Sequence, residues 1–239
     1  MGIKTSTYLK IKKSAIFSIL LLSTALPLAA EATWDTAVSY YKESQELKPY
    51  SMGVLSKTYN GKGEIEKTEE MMYALNYNAQ GETVSELIRA LEDGKDITEQ
   101  KKKENRNNQG RGGPPGESED YRKSPLDPAL QNDVTAFDTG MIQYKQGQRC
   151  TVWEFRLKLN SSHDAAGKAW ISTETGAAVS LKYRLEPNFP FVEEMNISLD
   201  YRTDNSNRFL LEQLRFDGRV NLIIMKKSFV SVTSFSDYR

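Results

Sequence analysis

The chain has 239 residues, of which 32 are basic and 32 are acidic, with one cysteine and one histidine. The length suits one domain with attachments, and the balanced charge argues against a nucleic-acid partner, which would favour a clustered positive excess. One cysteine excludes an internal disulfide, and one cysteine with one histidine cannot build a transition-metal site alone. The sequence therefore predicts no metal and no cofactor.

Residues 1–32 have the features of a signal peptide. Four lysines precede an uncharged run over residues 14–30, and Ala30-Glu31-Ala32 fits the small-x-small pattern of signal peptidase sites. We expect cleavage after Ala30 or Ala32 and export to the periplasm, with an uncleaved membrane anchor as the alternative. Removal of residues 1–32 leaves 28 basic and 31 acidic side chains, a net charge of −3. No cysteine stands at the cleavage site, so we expect no lipid anchor.

Residues 33–92 begin with a helix and continue as extended segments. Apolar side chains recur at helical spacing from Thr33 to Lys48, and Pro49 ends the pattern. Two extended segments follow, and Asn60-Gly61 between them is typical of a hairpin turn. The next segment, ETVSELIRAL, fits a strand or a helix, and we favour a strand.

A polar insertion follows, at about residues 93–125. Fifteen of the 31 residues from Asp93 to Lys123 are charged, and only Ile97 and Tyr121 are hydrophobic. Such a segment cannot bury enough apolar surface to offset its ordering entropy, so we expect a disordered insertion. Its KKKENR and GRGG pieces have the basic and glycine residues of RNA or phosphate sites. We favour a solvated loop, because the basic run is short and lacks interleaved aromatics.

The C-terminal half is predicted to be almost entirely β-structure. A second short helix is expected from Pro125 to Phe137, with Leu130 and Val134 on its apolar face. From Met141 onward, apolar and polar residues alternate in segment after segment, the pattern of antiparallel strands with one buried face. The apolar positions of three such segments form a candidate lining, namely Trp153, Phe155, Leu157, Val179, Leu181, Tyr183, Ile197, Leu199 and Tyr201.

Sheet dimensions predict the fold class. About eight or nine strands, about 4.8 Å apart, make a sheet roughly 40 Å wide. Two short helices of about 10 Å diameter cannot cover a flat sheet of that width. We therefore predict an α+β fold over residues 33–239, a curled antiparallel sheet or unclosed β-barrel with one or two short helices as lid or plug. Its interior is either filled by side chains or left as an apolar cavity.

No catalytic constellation is evident. Ser161 or Ser162, His163 and Asp164 could form a triad on paper, but residues adjacent in sequence rarely meet in catalytic geometry. No G-x-S-x-G motif is present, and Glu193 and Glu194 are expected to point to opposite faces of a strand. We predict that the protein is not an enzyme, and that Cys150 is a small buried hydrophobe.

The segment from Gly167 to Ile171, GKAWI, followed by Thr175-Gly176, resembles the G-x-x-W-I and T-G pattern of outer-membrane lipoprotein-sorting proteins of the LolA/LolB type. The closing FSDYR is similar to the ends of such chains. The resemblance implies an unclosed barrel with a helical lid, whose apolar hollow receives acyl chains. The chain departs from the family in its polar insertion and in lacking an arginine that matches the one used in lid closure.

These observations give two function hypotheses and a third that is disfavoured. The first is a soluble periplasmic carrier whose nine lining residues bind lipid or lipoprotein acyl chains, with a membrane-bound donor or acceptor protein as a further partner. The alternative is a non-catalytic envelope interaction or scaffold protein with a filled barrel core. An outer-membrane barrel is disfavoured by the polar insertion, the N-terminal helix and the final Arg239.

Overall fold

A computed structural model describes residues 33–107, 123–188, 191–204, 208–222 and 225–239, so the predicted signal peptide lies outside the described residues. The helices are α1 (Trp34–Ser44), α2 (Thr98–Asn107) and a 3-10 helix (Pro128–Asp133). The strands are β1 (Pro49–Tyr59), β2 (Ile65–Tyr77), β3 (Thr83–Glu92), β4 (Lys95–Asp96), β5 (Val134–Lys145), β6 (Gln148–Lys158), β7 (Asp164–Ser172), β8 (Ala178–Glu186), β9 (Val192–Thr203), β10 (Phe209–Leu222) and β11 (Met225–Tyr238).

All eleven strands form one antiparallel sheet in the order β4-β3-β2-β1-β11-β10-β9-β8-β7-β6-β5. Strands that are neighbours in sequence therefore pair, except β4 and β5, and β1 also pairs with β11. The strands β4 and β5 are the two edges, and the sheet does not close into a barrel. The predicted fold class, a curled antiparallel sheet with two short helices, is confirmed.

Both helices cover the same face of the sheet, which we call the inner face. On it, α1 packs against the β5–β10 side in the large core, a cluster whose buried members include Trp34 and Ala37 of the helix. The small core lies on the other side of the sheet, where Ile97, just before α2, packs against Tyr73, Leu87 and other side chains of β2 and β3. Polar side chains lie between the two cores. Ser56 of β1 and Ser231 of β11 are cross-strand partners there, and their hydroxyl oxygens are 2.9 Å apart.

The first helix is confirmed but is shorter than predicted. Thr33 caps its N-terminus, where the Thr33 side chain accepts a hydrogen bond from the Thr36 backbone N–H. The helix ends at Ser44 rather than Lys48, because the Gln45 N–H bonds to the Lys42 carbonyl in a tightened last turn.

The prediction of a second helix from Pro125 to Phe137 is wrong at both ends, because only Pro128–Asp133 is helical. Asp127 caps a short 3-10 helix, and its side chain accepts a hydrogen bond from the Ala129 N–H. The helix stops at Asp133 because the β-branched pair Val134-Thr135 favours the extended conformation of β5. Phe137 therefore lies on an edge strand, exposed, instead of on the apolar face of a helix.

The polar segment 93–107 is ordered, contrary to the expectation for the start of the insertion. Asp93-Gly94 forms the turn from β3 to β4, and α2 follows. Thr98 fixes the start of α2, because its hydroxyl oxygen accepts the Ala90 N–H at 2.9 Å and its own proton reaches Asp96 at 2.6 Å. The rest of the predicted insertion up to residue 122 lies outside the described residues. None of the helices in the described ranges has both the length and the apolar character that a membrane crossing requires.

The strand predictions before the insertion agree with the structure. The Asn60-Gly61 turn joins β1 and β2, and ETVSELIRAL forms β3. In that turn, the Asn60 side-chain oxygen accepts the N–H groups of Lys62 and Glu64.

Candidate ligand-binding surface under the first helix

The nine predicted lining residues lie on β6, β8 and β9. Between β6 and β8 lies β7, whose side chains facing the same way are short. Across four adjacent strands, Trp153, Ala169, Leu181 and Leu199 stand in one register row. Phe155, Gly167, Tyr183 and Ile197 form the next row. Small residues on β7 thus leave room above the sheet for the large side chains of its neighbours.

Eight of the nine residues belong to the large core or pack against it. Val179 is buried but is not a member of that core. A register shift between Trp170 and Ile171 places Ala178, rather than Val179, opposite Ile171. The structure therefore brings eight predicted residues together on one apolar surface and sets Val179 apart.

Gly167, from the segment that carries the family resemblance, allows the strands to approach closely at the centre of this surface. A Cβ atom at Gly167 would lie 2.1 Å from the carbonyl oxygen of Lys182 and 2.5 Å from the Tyr183 Cβ. The rings of Phe155 and Tyr183 instead meet edge to face across the glycine, with centroids 6.0 Å apart. No residue with a side chain fits this position without displacing backbone.

Helix α1 covers the surface with aromatic side chains at both of its ends. Near its start, the Trp34 ring lies 6.1 Å from Trp153 and 5.8 Å from Phe155, measured between ring centroids. The Trp34 indole N–H also donates to Gln131 of the 3-10 helix at 3.0 Å. Near its end, Tyr40 contacts Phe209 with centroids 6.5 Å apart. The surface is thus covered rather than open in this structure.

Two polar atoms of the predicted lining lack hydrogen-bond partners. They are the indole Nε1 of Trp153 and the hydroxyl of Tyr201, both out of contact with solvent. The Tyr201 ring stacks on Phe209 with centroids 4.5 Å apart, which fixes its orientation. Burial raises the pKa of the Tyr201 and Tyr183 hydroxyls well above the ordinary tyrosine value, so both remain protonated donors.

Sequence reasoning missed several residues that complete this surface. Leu126 is fully buried in the large core, and its backbone N–H bonds to the Ser124 hydroxyl oxygen. A lone apolar residue in the segment SPLDP shows no periodicity, so only its position between two prolines marks it. Phe209 was missed because a register shift between Leu211 and Gln213 interrupts the alternation in β10.

The opposite, outer face carries a groove that the sequence did not indicate. Its volume is about 640 Å³, and its walls include the half-exposed ring of Phe137 and the charged side chains of Arg156, Lys168, Lys182 and Arg184. Lys168 and Lys182 stand directly opposite each other on β7 and β8. Arg156 bonds Asp164 at 2.9 Å and Glu186 at 2.7 Å, which neutralises part of this charge.

The residues considered for chemistry take structural positions. Asp164 accepts the ion pair from Arg156, and the turn before it is held by Asn160, whose side-chain oxygen accepts the Ser162 and His163 N–H groups. Cys150 is fully buried, and burial raises the pKa of its thiol, as expected for a small hydrophobe. Within the described ranges, no group of three or more potential metal ligands is present.

Comparisons with known proteins find no matching family model and no match among curated proteins. Among solved structures, the chain is similar to an outer membrane lipoprotein-sorting protein domain from Vibrio parahaemolyticus, with 11% identity, a TM-score of 0.44, and coverage of 87% of this chain and 93% of that chain. It is also similar to a DUF1329 family protein from Desulfovibrio piger, with 9% identity, a TM-score of 0.37, and coverage of 86% and 90%.

A third similar structure is a LolA superfamily protein from Nitrosomonas europaea, with 10% identity, a TM-score of 0.34, and coverage of 85% and 92%. The first and third structures bear names from the family that the sequence resembles. All three TM-scores are below 0.5, so the fold described above rests on the strand order and the register.

Proposed function

We propose that the protein is an exported carrier that shelters the acyl chains of a lipid or lipoprotein on the inner face of its sheet. The observation that carries this proposal is the shallow packing of α1 over the predicted lining. Eight of the nine lining residues lie in the large core or pack against it, and α1 has only two buried residues of its own, Trp34 and Ala37. Displacement of α1 would expose the apolar side chains beneath it, beside Leu126 and Leu130, which also contact this core.

The connection between α1 and the sheet fits such a movement. After the helix ends at Ser44, residues 45–47 lead to Lys48, whose backbone N–H and carbonyl both pair with Arg239 at 3.1 Å. The chain is therefore fixed to the sheet at Lys48, and residues 45–47 form the hinge. Isolated helices of about 11 residues are marginal in water, so α1 depends on its packing and can exchange that packing for cargo.

Acyl chains would take the place of α1 on this surface and would be held by burial of their methylene groups, which needs no specific orientation. Each buried methylene contributes about 0.8 kcal/mol, so one chain of about 16 carbons can offset the lost contacts of a short helix. The aromatic rings of Trp153, Phe155 and Tyr201 would line the path of the chain. Release then follows when α1 returns, which is the step that a carrier requires.

The test uses one substitution on the inner face and a matched one on the outer face. The purified exported protein should carry lipid detectable by mass spectrometry and should take up a fluorescent fatty acid. Leu181→Glu places a carboxylate in the fully buried centre of the surface and should abolish both. Leu55→Glu changes a partly exposed leucine of β1 and should leave both intact. Absence of lipid and of fatty-acid uptake in the parent protein would refute the carrier function.

The outer groove favours a second candidate, a non-catalytic envelope protein that docks a partner on its outer face. In that case α1 is a permanent plug, and the groove beside Phe137 and Lys182 is the contact surface. Exported protein without lipid, but with a co-purifying partner that Phe137→Ser releases, would support this candidate. The matched variant Ile65→Ser changes an equally exposed side chain on β2 and should retain that partner.

A further inference from the structure

Three tyrosines from separate elements contribute to the large core. Tyr41 of α1 packs against that core, and Tyr183 of β8 and Tyr201 of β9 are buried within it. Tyr183 and Tyr201 are only 5% and 3% exposed. An apolar core thus contains a cluster of phenol hydroxyls, the Tyr41–Tyr183–Tyr201 cluster.

The hydroxyl of Tyr201 has no hydrogen-bond partner in this cluster. An interaction with the Ser124 hydroxyl lowers the pKa of Tyr201 against the larger effect of burial, yet the two oxygens do not meet the distance and angles of a formed hydrogen bond. The Ser124 oxygen instead accepts the Leu126 N–H at 3.2 Å. A buried hydroxyl without a partner destabilises a fold, whereas phenylalanine would fill the same space without that cost.

The surroundings of Tyr201 define the chemistry of a missing partner. The phenol is neutral, and its O–H proton has no acceptor, so a partner with an acceptor oxygen would satisfy it. Among the described residues, no lysine or arginine is buried that could balance an anion, and the negative charge of Asp127 raises the pKa of Tyr41. A neutral carbonyl oxygen therefore fits this position better than a carboxylate or a phosphate.

We propose that the Tyr201 hydroxyl binds an ester carbonyl oxygen of a diacylglyceryl group, with its acyl chains on the neighbouring apolar surface. This inference rests on the proposed carrier function and names the part of the cargo that the site recognises. The same ester group occurs in a phospholipid and in the diacylglyceryl modification of a lipoprotein. Closed over the empty surface, α1 leaves the hydroxyl unpaired, and cargo supplies the partner.

The Trp153 indole N–H is a second unpaired donor on the same surface and provides a control. Trp153 stands in one row with Leu199 of β9, three strands away, which is about 14 Å at normal strand spacing. Trp153 packs on Trp34 at the start of α1, whereas Tyr201 stacks on Phe209, which contacts Tyr40 near the end of α1, so the two donors belong to different parts of the covered surface. Trp153→Phe therefore removes an unpaired donor without touching the proposed ester site.

The decisive experiment compares ester-linked and ether-linked lipids on the exported, delipidated protein. Dipalmitoyl phosphatidylglycerol has ester carbonyls, and its dihexadecyl ether analogue has the same chains without them. The parent protein should bind the ester lipid about tenfold more tightly, which is the contribution of one good hydrogen bond. Tyr201→Phe should bind both lipids with the affinity of the ether lipid, and Trp153→Phe should keep the preference.

Each outcome decides one question. Equal affinity of the parent protein for both lipids, or a preference that survives in Tyr201→Phe, overturns the ester assignment and leaves the carrier function intact. Loss of the preference in Trp153→Phe as well also overturns it, because the effect would not be specific to Tyr201. Failure of the parent protein to bind either lipid refutes the carrier function instead.

Two further measurements separate recognition from a structural role. The infrared band of a ¹³C-labelled ester carbonyl should shift to lower frequency in the parent complex and return in Tyr201→Phe. The empty Tyr201→Phe protein should unfold at the same or a higher temperature, since it loses an unpaired hydroxyl; a clear decrease would show that the hydroxyl is satisfied within the fold.

A synthetic dipalmitoylglyceryl-cysteine peptide distinguishes lipoprotein cargo from phospholipid by its relative affinity.

Discussion

The two helices of this protein cover one sheet face by opposite means. Helix α1 lies on the large core through Trp34, Ala37 and half-buried tyrosines, so apolar packing holds it. Helix α2 has the sequence TEQKKKENRN, without one hydrophobic side chain, and is attached through Thr98 and the ion pair between Lys101 and Glu69 at 3.4 Å. One face of the sheet thus carries one helix held by apolar packing and another held by polar contacts.

The difference follows from the strands below each helix. The strands under α1 present whole rows of large apolar side chains, which must be covered by helix or by cargo. The small core under α2 has fewer buried members, namely Tyr73, Leu75, Leu87 and Ala90, with Met52, Val54, Met71 and Ile97 packed against them. A small apolar patch can be covered by the stems of long polar side chains, so the larger apolar surface lies on the α1 side.

The largest predicted effect comes from adding one methyl group at Gly167. The Cβ of Gly167→Ala would overlap the Lys182 carbonyl oxygen, at 2.1 Å, and should destabilise the protein by about 4 kcal/mol or prevent folding. Gly53→Ala on β1 meets nothing within 4 Å and should change stability by less than about 0.5 kcal/mol. Urea unfolding measures both, and similar values would contradict the described packing of β7 on β8.

The next prediction compares matched leucines in the two cores. Leu181 is fully buried at the centre of the large core, so Leu181→Ala should leave a cavity and cost about 4 kcal/mol. Leu87 lies in the small core near the sheet edge, where neighbours can collapse, so Leu87→Ala should cost about 2 kcal/mol. Denaturant unfolding gives both free energies, and a larger cost for Leu87→Ala would reverse the ranking of the cores.

The smallest effect concerns the attachment of α2. Thr98→Val removes the oxygen that accepts the buried Ala90 N–H and should cost about 1 to 2 kcal/mol. Hydrogen exchange should accelerate in residues 98–107 and remain unchanged in α1. Thr98→Ser keeps the hydroxyl and serves as the control.

Added salt should reduce the stability of α2 but not that of α1, since α2 depends on exposed ion pairs.

The sequence was sufficient to predict the strands that have one buried face and one exposed face. Alternation in β6, β8 and β9 predicted both the strands and eight of the residues that belong to the large core or pack against it. Such patterns are reliable because a one-residue slip would turn the whole apolar set to solvent. Val179 fell outside that core because a β-bulge changes the alternation locally, which no periodic reading detects.

The remaining differences arise where polar contacts or local stereochemistry decide the structure. Helix α2 has no apolar period, yet its Glu, Gln and Lys residues favour helices, and pairs such as Gln100–Glu104 and Lys101–Glu104 support them. The 3-10 helix ended early because Val134 begins a strand. The unpaired Tyr201 hydroxyl depends on tertiary surroundings and had no signal in the sequence.

The strand order has a consequence for how the chain folds. Nine of the ten strand pairs in the described sheet join strands that are neighbours along the chain, and such pairs close short loops at small entropic cost. The contact between β1 and β11 instead joins segments about 180 residues apart, where Pro49 faces Tyr238. Two independently formed hairpin arrays therefore meet late along one seam, and slow assembly of that seam, rather than formation of either array, should limit the folding rate.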